Sequence, residues 1–229
     1  MKNVIFVLSL MLIFLTSCSN EDINLNTRSG FSILQKTTAN KSTNDTKNIV
    51  NPLMGNIIFS KVHMGVRNIE IKNKNQISDN NNKINFIGPY QFDILEGFST
   101  PTIEPIFIEP GIYDKVVFDL SRVLPSGNSI EIYGTFVSEL FSFEFEYTTE
   151  MEGVFEIKNK KGLQQFEGDV SQFILYLNLE ELFKGVDINN IQFENNIVKI
   201  NALSNSVLAS TIKNNLQNVM DFERELEDE

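Results

Sequence analysis

Two carboxylates and one histidine are the side chains in this sequence best suited to acid–base chemistry. Glu144 and Glu146 are two residues apart, so on a β-strand they share one face. Paired carboxylates act as acid and base in glycoside hydrolysis. His63 is the sole histidine, so a catalytic triad would depend on it, and no partner motif accompanies it. Because neighbouring glutamates on an exposed strand face are usually solubilising charges, we expect no catalytic residue and no enzyme.

Metal and cofactor chemistry is also disfavoured. One histidine and one cysteine do not supply the ligands of a zinc site. Residues 79–82 offer oxygen ligands without the spacing of a calcium loop, and Glu104 and Glu109 simply flank a turn. The sequence lacks a Gly-rich phosphate loop and a nucleophile elbow. We therefore expect no cofactor and no metal.

Aromatic residues bear on a carbohydrate site. The chain has no tryptophan, which weakens the expectation of a sugar-stacking platform. Five tyrosines remain available for that role, although most are expected to pack in or beside the sheets: Tyr90, Tyr113, Tyr133, Tyr147 and Tyr176.

Cys18 is the only cysteine among the 229 residues. Lys2 gives the N-terminus a positive charge, and Val4–Leu15 is an almost unbroken apolar run. A run of this length is typical of a signal peptide and is too short to cross comfortably a bilayer core of about 30 Å. Two small residues, Thr16 and Ser17, lie directly before the cysteine.

The segment Leu15-Thr16-Ser17-Cys18 resembles the lipobox of bacterial lipoproteins. This resemblance implies that residues 1–17 are a signal peptide and that Cys18 becomes the first mature residue. Cys18 would then carry a diacylglyceryl thioether and usually an N-linked acyl chain such as palmitate. The polar, acidic residues 19–22 are similar to the export signal of some surface-exposed outer-membrane lipoproteins. An ordinary secretory signal and a plain solvated tether are the respective alternatives.

The mature chain predicted in this way is acidic. Lys2 is the only charged residue among residues 1–17, so 18 basic and 30 acidic side chains remain, a formal charge of −12. A chain with this charge repels phosphate backbones, so we expect no nucleic-acid partner. The sequence contains no polybasic segment for anionic lipid head groups. The membrane is therefore expected as a partner through the lipid on Cys18.

Residues 18–48 are predicted to be a flexible tether. They are rich in Asn, Ser and Thr, and such a stretch cannot bury enough surface to offset chain entropy. Phe31, Ile33 and Leu34 are the exception, for which a short strand or a docking point is predicted. Residues 49–229 are long enough for a single domain.

From residue 56 onward, apolar residues alternate with the period of two that is typical of β-strands. The alternation changes phase at residues 65–68, which predicts a bulge or a break there. Phe141–Tyr147 is the strongest strand pattern. Turns are predicted at 88–89, at 109–111 and at 125–128. Short strands with no helices between them predict an all-β fold, an antiparallel β-sandwich with Greek-key-like connections.

Two helices are predicted near the C-terminus. Asn178 is a suitable N-cap for a short helix over 179–183. An amphipathic helix is predicted from about residue 204, with an apolar side made of Leu208, Ile212, Leu216, Val219 and Met220. The acidic residues from Glu223 to the end oppose the helix dipole, so this tail is expected to fray.

A second resemblance involves Ile108–Leu120, in which Gly111-Ile112-Tyr113 leads into a strand, together with Phe92–Leu95. These segments resemble an element of uncharacterised Gram-negative envelope lipoproteins with a β-sandwich domain, over about residues 57–120. That family has no established activity, so the resemblance implies no functional residue.

The function expected from the sequence is a non-enzymatic binding, adhesion or assembly role at the cell surface, with a protein or glycan as ligand. Exposed strand edges could accept a partner strand. The alternative is a carbohydrate-binding or hydrolytic accessory of nutrient uptake, with Glu144 and Glu146 or surface tyrosines in a cleft.

Overall fold

The computed structural model describes residues 28–35, 48–51, 55–74, 83–138, 141–188 and 191–226. Cys18, the predicted signal peptide, most of the predicted tether and the 79–82 loop lie outside the described residues. Within them the chain is mostly β-strand. The strands are β1 Arg28–Gln35, β2 Asn48–Asn51, β3 Gly55–Asn73, β4 Lys83–Asp93, β5 Phe98–Thr100, β6 Ile106–Phe107, β7 Gly111–Leu120, β8 Ile130–Val137, β9 Ser142–Thr149, β10 Gly153–Gln165, β11 Val170–Leu177, β12 Ile197–Ile200 and β13 Met220–Leu226. The helices are α1 Leu179–Leu182, α2 Ser206–Asn215 and a 3-10 turn, Leu216–Asn218.

The strands form two sheets that pack on each other, so the prediction of an all-β sandwich is confirmed. The small sheet has the order β13-β11-β1-β6. The large sheet has the path β10-β7-β3-β8-β9-β12, with β2 and β4 also pairing with β3 and with β5 beside β4. The prediction of wholly antiparallel sheets needs a correction, because β1 runs parallel to β11 and β12 runs parallel to β9. Each parallel partner arrives by a long connection rather than by a hairpin, which allows either direction.

Strand β3 organises the large sheet. Its first half pairs with β8 and its second half with β7 along the same edge, while β2 and β4 pair with the opposite edge. Gly65 marks the change of partner: its N–H donates to the Ser129 carbonyl and its carbonyl accepts from the Ser121 N–H. A Cβ at Gly65 would lie 2.6 Å from the Ser121 carbonyl oxygen. A bulge at 65–68 is confirmed by the pairing with β7, in which Val66 lies opposite Leu120 and Ile69 opposite Phe118, so that β3 has one residue more than β7 between these pairs.

The core between the sheets is rich in aromatic rings that face each other across the sandwich. Tyr113 of the large sheet packs on Phe173 of the small sheet, with ring centroids 5.4 Å apart. Phe31 of β1 meets Phe92 of β4 at 6.2 Å. A buried Phe contributes roughly 1.5–3 kcal/mol through the apolar surface removed from water. These contacts stabilise the packing of the two sheets on each other.

The predicted tether is corrected at residues 28–35. These residues form β1, an interior strand of the small sheet that pairs with both β11 and β6. Phe31 and Ile33 are fully buried, so the short strand predicted for this exception belongs to the domain. The apolar side chains of the strand outweigh the polar composition around it.

The segment around Gly88-Pro89 was predicted to be a turn, and this was wrong. Strand β4 continues through both residues, because it is paired with β3 on either side of them. Between the pairs that Val66 and Asn68 form with β4, strand β4 has one residue more than β3, and this bulge accommodates the proline.

The C-terminal region is partly as predicted. Asn178 caps α1 by accepting the Glu181 N–H at 3.1 Å, and α2 buries Leu208 and Ile212. The helix, predicted to continue to Met220, ends at Asn215, so its predicted length was wrong. The acidic tail predicted to fray from Glu223 was also wrong over 223–226, because Met220–Leu226 form β13 beside β11. Phe222 is buried and stacks on Phe173 at 5.6 Å, so apolar packing fixes this segment despite its acidic residues.

Candidate functional site

The strand register aligns a row of polar side chains on the outer face of the large sheet. Lys61, Tyr133, Glu146 and Lys199 lie opposite one another on β3, β8, β9 and β12. The Tyr133 hydroxyl donates to Glu146 at 3.2 Å, and the Lys61 ammonium lies 4.9 Å from the Tyr133 ring centroid. The Lys199 ammonium instead donates to Glu194 at 2.6 Å, so each polar group of the row has a partner, which is the arrangement of a structural row.

Glu131 of β8 is a buried charged residue next to this row. It is only 5% exposed, and its carboxylate accepts from the Lys61 ammonium at 2.6 Å and from the Asn128 amide at 3.3 Å. Burial alone would raise the pKa of Glu131, but hydrogen bonds from Lys61, Ser126 and Asn128 and the Lys61 charge bring it below its usual value. Glu131 is therefore held as a carboxylate by its partners.

Tyr133 is affected by its hydrogen bond to Glu146 and by the nearby negative charges. Burial, with the negative charges of Glu146 and Glu131, raises the pKa of Tyr133 to about 12. The phenol thus stays protonated and donates to Glu146 throughout the physiological range. Glu146 is committed to this contact, whereas Glu144, two residues earlier on the same face of β9, does not share it.

His63 is half-buried, and its Nε2 lies 3.3 Å from a carboxylate oxygen of Asp93 on the neighbouring strand. The other oxygen of Asp93 accepts the backbone N–H groups of Leu95 and Glu96. Asp93 therefore stabilises the turn after β4, and the His63 contact joins β3 to that turn.

A surface cleft of about 630 Å³ opens where β9 and β12 begin. Strand β9 extends beyond β12 at this end, and the turn before β12 closes the other side. Its lining combines aromatic rings, amides, hydroxyls and one carboxylate: Thr135, Phe141, Ser142, Phe143, Glu144, Phe193, Asn195, Asn196 and Ile197. We refer to this feature as the aromatic cleft.

The apolar wall of the aromatic cleft is an outward continuation of the core. Phe141 is 42% exposed and stacks on Phe143 with centroids 5.5 Å apart, and Phe193 is 56% exposed and meets Phe143 edge-on at 5.5 Å. Phe143 in turn packs on the buried Phe136 at 5.1 Å. Because Phe136 also contacts Phe145 at 4.5 Å, the exposed rings rest on a fixed base. Because these rings are already held in place, binding a ligand would cost them little side-chain entropy.

The polar rim of the cleft is set by a tight turn. Glu194 and Ile197 exchange backbone hydrogen bonds at 2.9 and 3.1 Å around Asn195 and Asn196. Both asparagines have positive φ, 53° and 68°, which is the conformation of a type I′ turn and one that Asn tolerates. Glu144 stands opposite Ile197 across the β9–β12 pair. Amide groups and one carboxylate are thus placed beside the exposed rings.

The edge of β12 next to the cleft is covered. The Asn205 amide donates to the Lys199 carbonyl at 2.7 Å and to the Gln192 carbonyl at 3.0 Å. Its oxygen accepts the Gln192 N–H at 2.8 Å. A partner strand would have to displace these bonds, so side-chain binding in the cleft is favoured here over strand addition.

The other residues weighed from the sequence do not enter the cleft. Tyr90, Tyr113 and Tyr147 are buried, and Tyr133 lies beneath Lys61. The Glu109 carbonyl accepts the Tyr113 hydroxyl at 2.7 Å, a contact within its own turn. The aromatic side chains that line the cleft are therefore phenylalanines and not tyrosines.

Sequence reasoning missed Phe141 and Phe193 as surface residues. The alternation of Phe141, Phe143 and Phe145 places all three on the apolar face of one strand, which reads as core. Phe141 precedes β9, where the opposite sheet no longer covers it. An isolated Phe193 between polar residues, in Gln192-Phe193-Glu194, was the available signal.

Comparison with family models, with curated proteins and with solved structures gave no match. The described part of the chain contains no cluster of three or more His, Cys, Asp or Glu side chains arranged to hold a metal ion. None of its helices is both long and apolar enough to cross a membrane.

Proposed function

We propose that this chain is a lipid-anchored protein of the bacterial cell envelope, exposed at the outer-membrane surface, which binds a ligand without catalysing a reaction. The lipobox-like segment ending at Cys18 supports the anchor. Two acyl chains or more make such an attachment stable. The aromatic cleft is the proposed binding site.

The observation that carries the proposal is the pair of exposed rings, Phe141 and Phe193, supported from beneath by Phe143. Exposed aromatic side chains in a concave site with a polar rim are typical of recognition surfaces. Phenylalanine has no polar group of its own, so this wall best suits an apolar side chain of a protein partner. The amides of Asn195 and Asn196 and the Glu144 carboxylate would bind the polar backbone around it.

A non-enzymatic role is supported by the separation of the two glutamates. Both are on the outer face of β9, but Glu144 lines the cleft, whereas Glu146 accepts the Tyr133 hydroxyl and is not among the lining residues. A glycosidase needs two carboxyl groups that flank one bond. Only one of the pair faces the cleft.

A second candidate, a carbohydrate-binding accessory of nutrient uptake, is favoured by the composition of the rim. Sugars bind by placing a ring face on an aromatic side chain while amides and carboxylates take the hydroxyl groups. Phe193, Asn195 and Glu144 offer these groups in one space.

The test is a binding screen with the mature chain from residue 18, carrying Cys18→Ser, against envelope proteins and a glycan array. Ligands found are then titrated with Phe193→Ala and with Phe98→Ala, a comparably exposed phenylalanine outside the cleft. We expect Phe193→Ala to weaken binding about tenfold or more and Phe98→Ala to leave it unchanged.

Equal affinity of both variants for every ligand would overturn the cleft as the site. Glycans as the only cleft-dependent ligands would favour the second candidate. Turnover of a bound glycan that stops in Glu144→Gln would contradict the non-enzymatic role.

A further inference from the structure

Four lysines form a row across the outer face of the large sheet, away from the aromatic cleft. Lys83 of β4 lies opposite Lys72 of β3, Lys72 opposite Lys115 of β7, and Lys115 opposite Lys158 of β10. Adjacent strands are about 4.8 Å apart, so the row covers roughly 15 Å. Each lysine is flanked by inward-facing core residues such as Ile71 and Val116, which fixes the row on the outside. We refer to it as the lysine row.

The acidic neighbours of the lysine row do not neutralise it. Glu70 contacts both Lys83 at 2.9 Å and Lys72 at 3.8 Å, and Glu156 contacts both Lys158 at 2.8 Å and Lys115 at 3.3 Å. Each glutamate is thus shared by two lysines. One positive charge in each group of three remains uncompensated.

More lysines extend the positive surface toward the end of the sandwich. Lys74 follows β3, and Lys160 and Lys161 form the irregular turn within β10, where all three are exposed. Asp114 is the acidic side chain that acts on Lys158 from β7. The lysines outnumber the acidic residues in this region of a chain whose overall charge is −11.

The N-terminal strand enters the domain at this same end. The Arg28 N–H donates to the Asp169 carbonyl in the turn that follows β10, and the Arg28 guanidinium lies 4.6 Å from the centroid of the exposed Phe107 ring. Gln165, at the end of β10, pairs with Gly111 at the start of β7, four residues from Lys115. Four strand residues correspond to about 14 Å. The entry point of the chain, in the small sheet, and the lysine row, on the outer face of the large sheet, therefore lie toward the same end of the sandwich.

We propose that the lysine row docks the domain onto the anionic lipid head groups of the membrane that holds the chain. This inference rests on the proposed acylation of Cys18. Arg28 is ten positions after Cys18, a distance that the chain can span over at most about 35 Å, so the end of the sandwich that carries Arg28 is kept near the bilayer. The lysines are the complementary charges available there.

The acidic remainder of the chain makes this docking directional. An anionic bilayer repels a protein of net negative charge, and the repulsion is screened beyond about 8–10 Å. Contact is then favourable only when the outer face of the large sheet, which carries the lysines, faces the head groups. The small sheet, which contains both β13 with Glu223 and the entry strand β1, then lies on the side away from the bilayer. An acyl chain and a basic surface together give firmer attachment than one acyl chain alone.

The test is vesicle sedimentation with the mature chain carrying Cys18→Ser, so that no acyl chain contributes. Vesicles of about one-third phosphatidylglycerol in phosphatidylcholine are compared with pure phosphatidylcholine. Lys83→Gln/Lys158→Gln is the test pair, and Lys184→Gln/Lys213→Gln, which removes the same charge elsewhere on the exposed surface, is the control. We expect selective binding to the anionic vesicles that weakens about 25-fold in the test pair, about fivefold for each lysine, and less than twofold in the control.

Equal binding to both kinds of vesicle, or equal losses in both pairs, would overturn the docking surface and leave the lipid anchor standing. Tighter binding of a soluble acidic polysaccharide than of vesicles, through the same lysines, would also overturn it. Failure of acylation in cells would contradict the anchor alone, because the vesicle measurement uses an unacylated chain.

Discussion

Replacing Lys61 with methionine should unfold the large sheet more easily, because it leaves the buried Glu131 carboxylate without its cation. The Lys61–Glu131 contact is 2.6 Å long, and the side chains are 36% and 6% exposed. Loss of one partner of a fully buried pair costs about 3–5 kcal/mol, and an exposed pair contributes about 0–1 kcal/mol. Since Lys61 is over a third exposed and Asn128 still donates to Glu131, we expect a loss of about 2 kcal/mol at pH 7.

The pH dependence gives an independent check. The pKa of Glu131 is lower in the folded state than its ordinary value of 4.5, so its contribution is complete above that value. It is lost as the pH falls through the lower, folded pKa. In Lys61→Met, burial is no longer opposed by the ammonium, so the pKa of Glu131 rises and protonation relieves the penalty. The difference between the two proteins should therefore shrink as the pH is lowered from 7 toward 3.5.

Urea unfolding at both pH values measures this difference. Lys184→Met is the matched control, since it removes a lysine from the exposed pair with Glu181, whose side chains are 70% and 48% exposed. Its cost should not exceed about 0.5 kcal/mol. A loss below that value for Lys61→Met at pH 7, or a difference that stays constant with pH, would refute the reasoning.

Three further outcomes are expected. Gly65→Ala should lower the free energy of unfolding by about 1–3 kcal/mol in urea, because its Cβ would lie 2.6 Å from the Ser121 carbonyl oxygen; an unchanged midpoint would contradict the role of this glycine. Absorbance titration of tyrosine should show phenols that ionise only near pH 12, since burial raises the pKa of Tyr133 and of Tyr147 to about 12, and Glu146→Gln should make Tyr133 ionise at lower pH. Labelling cells with an alkyne-bearing fatty acid should mark the native protein and not Cys18→Ala; label on both would exclude Cys18 as the acceptor.

The features of the fold that could be predicted are those written in local patterns. The phase change at Gly65 and the Asn178 cap each depend on a few consecutive residues. The continuity of β4 through Gly88 and Pro89 depends instead on pairing with β3, which a single segment does not show. Likewise, strand β13 depends on the packing of Phe222 against Phe173, a contact between residues far apart in the sequence.

The two proposed surfaces, the lysine row and the aromatic cleft, could not be predicted because they also depend on contacts between distant segments. The four lysines of the row come from four separate strands, and no two of them are close in sequence. Only the register of β4, β3, β7 and β10 brings them together. The sequence could show that no polybasic segment exists, but it could not show that a basic surface is assembled by pairing. Likewise, the turn before β12 places Phe193 in the cleft against Phe143, which is far from it in the sequence.

The most direct test of a surface-exposed, lipid-anchored binding protein is protease accessibility on intact cells, with Cys18→Ala measured beside the native protein. The native protein should be cleaved without lysis and should sediment with membranes, while Cys18→Ala should be released or mislocalised. A native protein that resists protease on intact cells and is cleaved only after lysis would face the periplasm. That result would contradict a role in binding at the cell surface.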